Sequence, residues 1–314
     1  AVAVCVLVAG VASWTMFGRP TADERTVRFS IQPPLMPASL AVAVSPDGQT
    51  IAFAAAPSGT TTMLLVRPLR APTATVLAGT EGAFAPFWSP DGKYIGFATR
   101  SDQKLKIVAA AGGDPRVVCD IVDGPFFGAS WSREGVILVS TPGRPQGSKK
   151  AGPEILHRVP VAGGVPIPVN ALDQAAGENG HRWPYFLPDG RRFLYLAWND
   201  DPTKRAIFVG SLDSSERTRV MFAESAAEYV SPGFLFFTRK QRLFAQRFDS
   251  STMRFTSEPI AVAEGLIYGA VTGRAGFSAS SQTLVSRSGT TDDRDAGLGL
   301  FSLAWIDRNG TVSP

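Results

Sequence analysis

The chain has 314 residues, of which 44% are hydrophobic and 10% aromatic, so it is long enough to bury a large core. Its formal net charge is +4, from 31 basic and 27 acidic residues that are mixed along the sequence. Nucleic-acid-binding proteins usually concentrate basic residues on one face, so this balance argues against a nucleic-acid partner. The 31 glycines and 24 prolines suit a fold of strands and turns.

The N-terminal segment, residues 1–17, contains no charged residue. As a helix with a rise of ~1.5 Å per residue it would be roughly 26 Å long, slightly short of a ~30 Å hydrocarbon core. Trp14 suits a membrane interface, and Arg19 and Pro20 end the apolar run. We therefore predict a transmembrane helix over residues 1–18, truncated at its start, with a signal peptide or a buried helix as alternatives. Residues 19–37 are polar and contain prolines, and they are predicted to form a stalk.

A four-residue turn phrase recurs along the rest of the chain. Its copies, the third of them degenerate, are Ser45-Pro46-Asp47-Gly48, Ser89-Pro90-Asp91-Gly92, Ser132-Arg133-Glu134-Gly135 and Leu187-Pro188-Asp189-Gly190. Proline presets φ for the second turn position, aspartate bonds its own backbone, and glycine takes the conformation that other residues resist. The copies are 44, 43 and 55 residues apart, and a period of about 40–45 residues with several short strands is typical of a β-propeller blade.

Apolar runs on both sides of each turn phrase predict a pair of antiparallel strands. After the second phrase, Leu105–Ala109 and Arg116–Cys119 supply a third and a fourth strand, and Val165–Val169 is the fourth strand of the next repeat. The sequence therefore predicts an all-β fold over residues 38–314, a propeller of about six or seven four-stranded blades that is truncated at its C-terminus. An open sandwich is the alternative. Whether Thr26–Ile31 closes the last blade is left open.

The turn phrase and the apolar triplet that follows it resemble the TolB-like, WD40-like propeller repeats of bacteria. Longer stretches, at Pro86–Gly92, His181–Gly190 and Val209–Asp213, resemble the propeller region of bacterial receptor-like serine/threonine protein kinases. This resemblance covers nearly the whole chain. In that family a cytoplasmic kinase domain precedes one membrane helix and an extracytoplasmic propeller. The resemblance therefore implies a single-pass inner-membrane protein with its propeller in the periplasm, acting as a ligand- or protein-binding sensor.

No kinase motif lies in this chain. There is no glycine-rich phosphate loop and no Asp-Phe-Gly, and His181-Arg182-Trp183 differs from the kinase His-Arg-Asp. We therefore expect the chain itself to be non-catalytic, with any kinase activity in a part upstream of it. Two alternatives remain open. One is the N-terminal propeller of a prolyl oligopeptidase-like serine peptidase, although the nucleophile phrase Gly-x-Ser-x-Gly is absent. The other is a TolB-like periplasmic scaffold that binds proteins.

One cluster combines charge, an aromatic ring and a preceding glycine-bearing loop, and it contains Glu178, His181, Arg182 and Trp183. It is the first candidate for a binding site, for a protein or a small molecule at the propeller face. The alternative is structural, with a buried histidine bonded to a carboxylate or a backbone carbonyl. Glu178 and His181 could ligate a metal, but zinc needs more ligands and His157 is the only other histidine, so we expect no metal and no cofactor.

The remaining polar features have simpler interpretations. Asp47, Asp91 and Asp189 are expected to cap their turns rather than to act as acid/base groups. Thr141–Pro153 is an insertion with three basic residues that enlarges the third repeat. We predict a solvated loop there, with a partner-binding loop as the alternative.

Overall fold

A computed structural model of the chain describes residues 29–31, 37–57, 59, 61–121, 124–142, 152–288 and 300–305. Within these ranges the regular structure is β-strand apart from one 3-10 helix at Pro202–Lys204. No helix in the described part of the chain has the length and apolar character needed to cross a bilayer. The predicted transmembrane helix over 1–18 lies outside the described residues, as do most of the predicted stalk and residues 143–151 of the insertion.

The strands of the first half, in chain order, are β1 (Phe29–Ile31), β2 (Pro37–Val44), β3 (Thr50–Ala55), β4 (Met63–Pro68), β5 (Thr75–Val76), β6 (Ala83–Trp88), β7 (Tyr94–Thr99), β8 (Lys104–Ala109), β9 (Arg116–Asp120), β10 (Ala129–Trp131), β11 (Val136–Pro142), β12 (Glu154–Pro160) and β13 (Ile167–Pro168). Those of the second half are β14 (Gly180–Phe186), β15 (Arg192–Trp198), β16 (Ala206–Ser211), β17 (Thr218–Phe222), β18 (Glu228–Val230), β19 (Phe234–Arg239), β20 (Arg242–Asp249), β21 (Arg254–Phe255), β22 (Ile260–Ala263), β23 (Tyr268–Gly269), β24 (Arg274–Ala275), β25 (Phe277–Ala279), β26 (Thr283–Ser288) and β27 (Leu300–Trp305).

Successive strands pair to form a series of largely antiparallel sheets. Sheet A contains β2–β5 and sheet B contains β6–β9. Sheet C has eight strands in two halves, β10–β13 and β14–β17, joined by one parallel bridge between Glu154 and Gly180. Sheet D contains β18–β22, β23 and β24 form a separate hairpin, and sheet E has the order β1-β27-β26-β25. The fourth strand of the third repeat, predicted over Val165–Val169, is shorter than expected, because only Ile167–Pro168 pairs with β12.

The turn phrase joins the first two strands of a sheet through hydrogen bonds within the phrase. In sheet B, Ser89 Oγ donates to the Asp91 carboxylate at 2.6 Å. The backbone N–H of Lys93 donates to the same carboxylate at 3.1 Å, and that of Tyr94 donates to Ser89 Oγ at 2.9 Å. Gly92 has φ +69°, which favours glycine. The serine and the aspartate therefore cap backbone groups that start the next strand.

The first and last sheets lie side by side. Thr283 Oγ1 donates to the carbonyl of Gly48 at 2.7 Å, and the backbone N–H of Val44 donates to Ser278 Oγ at 3.2 Å. At the outer side of sheet E, β1 pairs antiparallel with β27. The N-terminal strand thus completes the last sheet, which answers the question that the sequence leaves open.

The hydrophobic core lies between neighbouring sheets. Val285 of sheet E packs with Val42 and Phe53 of sheet A. Ile107 of sheet B packs in one cluster with Ile137 of sheet C. Other clusters join A to B, C to D and D to E. Each sheet buries its faces against its neighbours, as expected for an architecture of stacked repeats.

Candidate functional site

One edge strand of each sheet, or of each half of sheet C, borders a central cavity of about 310 Å³. Residues of seven strands line this cavity, together with the turns that follow several of them: β2, β6, β10, β14, β18, β24 and β25. The cavity therefore lies where the sheets converge, and we call it the central cavity.

An unusual backbone conformation recurs in or directly before three of the lining strands. Ala85, Gly128 and Trp183 have φ of 49°, 89° and 55°. Each lies six residues before the acidic residue of the next turn phrase. Left-handed φ is sterically unfavourable for a bulky side chain and costs on the order of 1–3 kcal/mol. Trp183 is therefore held in the strained left-handed conformation that Gly128 adopts directly before β10.

The surroundings of Trp183 explain how it is held. Its indole Nε1–H donates to the carbonyl of Thr272 and its backbone N–H donates to that of Phe127, both at 2.8 Å. The Phe127 ring meets the indole edge-to-face at 6.0 Å, and Arg274 Cζ lies 4.9 Å from the ring centroid. A β-carbon on Gly128 would lie 2.6 Å from the indole, so the glycine makes room for it.

A buried ion pair lies beside Trp183 on the cavity wall. Arg274 Nη2 lies 3.7 Å from Glu228 Oε1, and the Glu228 side chain is 9% exposed. The backbone N–H of Ala279 donates to Glu228 Oε2 at 3.1 Å. Burial raises the pKa of Glu228 to about 6, although the charge of Arg274 acts in the opposite direction. Arg274 Nε has no hydrogen-bond partner.

Two residues of the sequence-predicted site, Glu178 and His181, bond to each other below the surface. His181 Nε2 lies 3.0 Å from Glu178 Oε2, and the Arg217 guanidinium donates to both oxygens of that carboxylate at 2.6 and 2.9 Å. The His181 ring is fully buried and lies 4.7 Å from the Tyr195 ring. Burial lowers the pKa of His181, and the hydrogen bond with Glu178 only partly offsets this effect. His181 is therefore neutral at neutral pH.

The third residue of that cluster, Arg182, is also held within the protein. Its Nη2 and Nε donate to Glu154 Oε2 at 3.1 and 3.3 Å, and its Nη1 donates to the carbonyl of Val271 at 2.8 Å. The guanidinium lies 3.9 Å from the Trp198 ring, and that of Arg205 lies 3.3 Å from the same ring. Such guanidinium–aromatic contacts stabilise the packing of the loops that surround them.

The structure therefore separates the four residues that the sequence groups together. Trp183 lines the central cavity, whereas Glu178, His181 and Arg182 are bonded to other side chains and are absent from its lining. Glu228 and Arg274 were not among the site residues predicted from the sequence. The signal available in the sequence was a lone carboxylate within the apolar run Ala226–Val230. Across the described ranges, no three His, Cys, Asp or Glu side chains are grouped so that they could hold a metal ion.

Comparison with known proteins identifies the fold. No protein-family model matches the sequence, and no curated protein is detectably similar to it. TolB from Acinetobacter baumannii has a similar structure, with a TM-score of 0.55 at 12% identity over 79% of this chain and 67% of that chain. The β-propeller domain of the Trilobed protease from Pyrococcus furiosus matches with a TM-score of 0.51 at 16% identity, over 87% of this chain and 82% of that chain.

The fold is a β-propeller similar to that of TolB. The prediction of an all-β propeller is thus confirmed. A puromycin hydrolase also contains a similar structure, with a TM-score of 0.54 at 14% identity over 88% of this chain and 53% of that chain. At such low identities these similarities establish the fold of the propeller and not its activity. The kinase-linked resemblance stays a prediction.

Proposed function

We propose that the chain is a non-catalytic, peptide-binding propeller whose ligand enters the central cavity. The observation that supports this proposal most directly is the Glu228–Arg274 pair, at 3.7 Å and with Arg274 Nε unpartnered, on the cavity wall beside Trp183. An amide offers one N–H donor and one carbonyl acceptor. A peptide bond could therefore donate to the Glu228 carboxylate and accept from Arg274 Nε.

The rest of the cavity suits a short peptide segment. A volume of about 310 Å³ lies at the lower end of the range of ligand pockets. Trp88, Trp131 and Tyr185 line it and remain partly exposed. Aromatic rings of this kind supply apolar contact area at a small entropic cost, which favours recognition of peptide side chains.

We propose further that the sheets form a closed ring of six blades. Sheets A, B, D and E would each be one blade, and the two halves of sheet C would be two. The contacts between sheets A and E and the pairing of β1 with β27 support this proposal. Because Pro86–Gly92, His181–Gly190 and Val209–Asp213 resemble the propeller region of receptor-like serine/threonine kinases, the ring would be the periplasmic sensor of such a kinase, anchored by residues 1–18 in the inner membrane. Ligand binding would then bias the membrane helix.

A second candidate is the substrate-gating propeller of a serine peptidase. The similar structures in a puromycin hydrolase and in the Trilobed protease favour it. A TolB-like scaffold that binds proteins is a third, favoured by the similarity to TolB. The full reading frame of the gene separates the three. A kinase domain upstream supports the sensor, a hydrolase domain downstream supports the peptidase, and a cleavable signal sequence without either domain supports the scaffold.

The binding site itself is tested by selecting random nonapeptides displayed on phage against the wild-type chain. Selected peptides are then measured by calorimetry against three variants. Arg274→Lys keeps the positive charge but removes the Nε donor, and Glu228→Gln removes the anionic acceptor. Arg116→Lys makes the matched change at an exposed arginine that donates to the carbonyls of Val161 and Ala162, outside the cavity lining.

We expect the two cavity variants to weaken binding by about tenfold each, because each loses a hydrogen bond that involves a charged group. Arg116→Lys should bind like the wild type. If no peptide is enriched, or if the selected peptides bind all three variants equally well, the central cavity is not a peptide site.

A further inference from the structure

A second cavity, of about 580 Å³, lies between sheets B and C. None of its lining residues also lines the central cavity. Its walls are unusually rich in proline and include Pro142, Pro153, Pro166 and Pro168. We call it the B–C cavity. Its size falls within the range of pockets that bind small molecules.

Two buried polar atoms on the wall of the B–C cavity have no hydrogen-bond partner. They are Thr141 Oγ1 and His157 Nδ1, and each residue is 3% exposed. Leaving such a group unpaired in the interior costs about 1–3 kcal/mol. Two of them on the wall of one cavity therefore point to an occupant that pairs with them.

The register of sheet C explains why both side chains reach the same cavity. Thr141 of β11 lies opposite Ile155 of β12, and Val139 lies opposite His157. Residues that are directly opposite, or two positions apart on one strand, share a face of the sheet. Val139 on that face packs in one core cluster with Ile107 of sheet B. The polar pair therefore lies on the face that meets sheet B, next to a closely packed core.

The carboxylates among the described lining residues of the B–C cavity are already paired. Asp102 and Asp120 are among the lining residues, but Asp102 pairs with Lys106 at 2.7 Å and Asp120 pairs with Lys104. Burial lowers the pKa of His157 and outweighs the opposing influence of the Ile155 backbone, so the imidazole is neutral at neutral pH. Among the described residues of this wall a charged ligand would find no free counter-charge, and desolvating its charge would be costly.

We propose that the B–C cavity is a binding site for an uncharged molecule that has an apolar ring and at least one hydroxyl group. The proline walls would contact the ring, while Thr141 Oγ1 and His157 Nδ1 would bond to the polar group or groups. A hydroxyl can donate and accept, so it can satisfy either atom. This site is independent of the proposed peptide site, and it would exist whether or not the central cavity binds peptides.

The test uses p-cresol as the probe, added to the full chain labelled with 15N in its imidazole rings. The chain has only two histidines, so the spectrum contains one ring that lines the B–C cavity and one, His181, that does not. We expect p-cresol to shift the His157 Nδ1 resonance in a saturable way and to leave His181 unchanged. Toluene, which lacks the hydroxyl, and p-toluate, which is charged, should bind at least fivefold more weakly.

Two variants make the test specific to the wall of the cavity. Thr141→Val removes the hydroxyl without changing the shape of the side chain, and because that hydroxyl has no partner, the fold should be kept. It should weaken p-cresol binding about fivefold. Thr75→Val, the same change at an exposed position of β5, should have no effect. The proposal is overturned if p-cresol leaves His157 unshifted because only water fills the cavity, if it shifts both histidines alike, or if Thr141→Val binds it as tightly as the wild type.

Discussion

At the scale of single residues, the aspartate of the turn phrase acts on the backbone of its own turn. Two hydrogen bonds lower the pKa of Asp91: the larger effect comes from the Ser89 hydroxyl and the smaller from the backbone N–H of Lys93. We predict that Asp91→Ala lowers the free energy of unfolding by about 1 kcal/mol, because it removes bonds that cap the turn. Asp114→Ala, a change at another exposed aspartate, is the control for urea unfolding. Equal stability of the two variants would contradict a capping role.

The carboxyl of Glu228 should give the molecule a measurable pH dependence. Its pKa is raised from 4.5 to about 6 by burial, so the folded chain binds this proton more tightly than the unfolded chain. The stabilisation from the neutral carboxyl is complete below about pH 4.5 and is lost as the pH rises through about 6. Between pH 4.5 and 7 the wild type should therefore lose about 2 kcal/mol relative to Glu228→Gln.

The wild type and Glu228→Gln are compared by how their free energies of unfolding change with pH rather than by the absolute values, since the variant also removes the charge partner of Arg274. Urea unfolding at half-unit steps of pH gives both curves. If the two curves run parallel across this window, the Glu228 carboxyl does not have a raised pKa in the folded chain.

Predictions about single residues succeeded where the interacting residues are close together in the sequence. A carboxylate partner for a buried His181 could be anticipated, because Glu178 is only three residues away. The pairing of Glu228 with Arg274 could not, since 46 residues separate them and their contact depends on how sheet D meets the β23–β24 hairpin. Nor could the sequence show that Trp183 alone of its cluster lines the central cavity, because that depends on a strained φ.

At the scale of elements, the packing of β6 against β7 depends on one glycine. Gly96 lies opposite Phe87, and a β-carbon at Gly96 would overlap the Phe87 ring. We predict that Gly96→Ala lowers the free energy of unfolding by about 2 kcal/mol, because the ring is 8% exposed and has little room to move.

A double-mutant cycle with Phe87→Leu isolates this contact. In the leucine background the cost of Gly96→Ala should fall by at least about 1 kcal/mol, since the smaller side chain leaves room for the methyl group. If the two changes are additive in urea unfolding, the glycine is needed for some other reason than its approach to Phe87.

The sequence located the strands that flank each turn phrase because proline, aspartate and glycine specify the turn locally. It was less reliable at the outer edges of the sheets. Pairing there involves few residues, so that β13 contains two residues where five were predicted. The partner of β1 could not be predicted at all, since β27 lies at the far end of the sequence and no local pattern encodes the pairing.

At the scale of the whole molecule, closure of the proposed ring should depend on β1. Phe29–Ile31 pairs with β27, so a chain that begins at residue 33 leaves β27 as an unpaired edge. We predict that this truncation lowers the free energy of unfolding by about 2 kcal/mol and raises hydrogen exchange in Leu300–Trp305. A chain that begins at residue 19 keeps β1 and is the control. Unchanged exchange in β27 would contradict closure by β1.

The most direct test of the account is to locate a bound peptide on the propeller. A nonapeptide selected against the wild type is synthesised with benzoylphenylalanine, crosslinked by light, and mapped by mass spectrometry. If the central cavity is the binding site, the crosslinks should fall on its lining, in β14 and β18 and around Arg274. Crosslinks confined to the outer strands β5, β9 and β17 would contradict the claim that this propeller binds peptides through its central cavity.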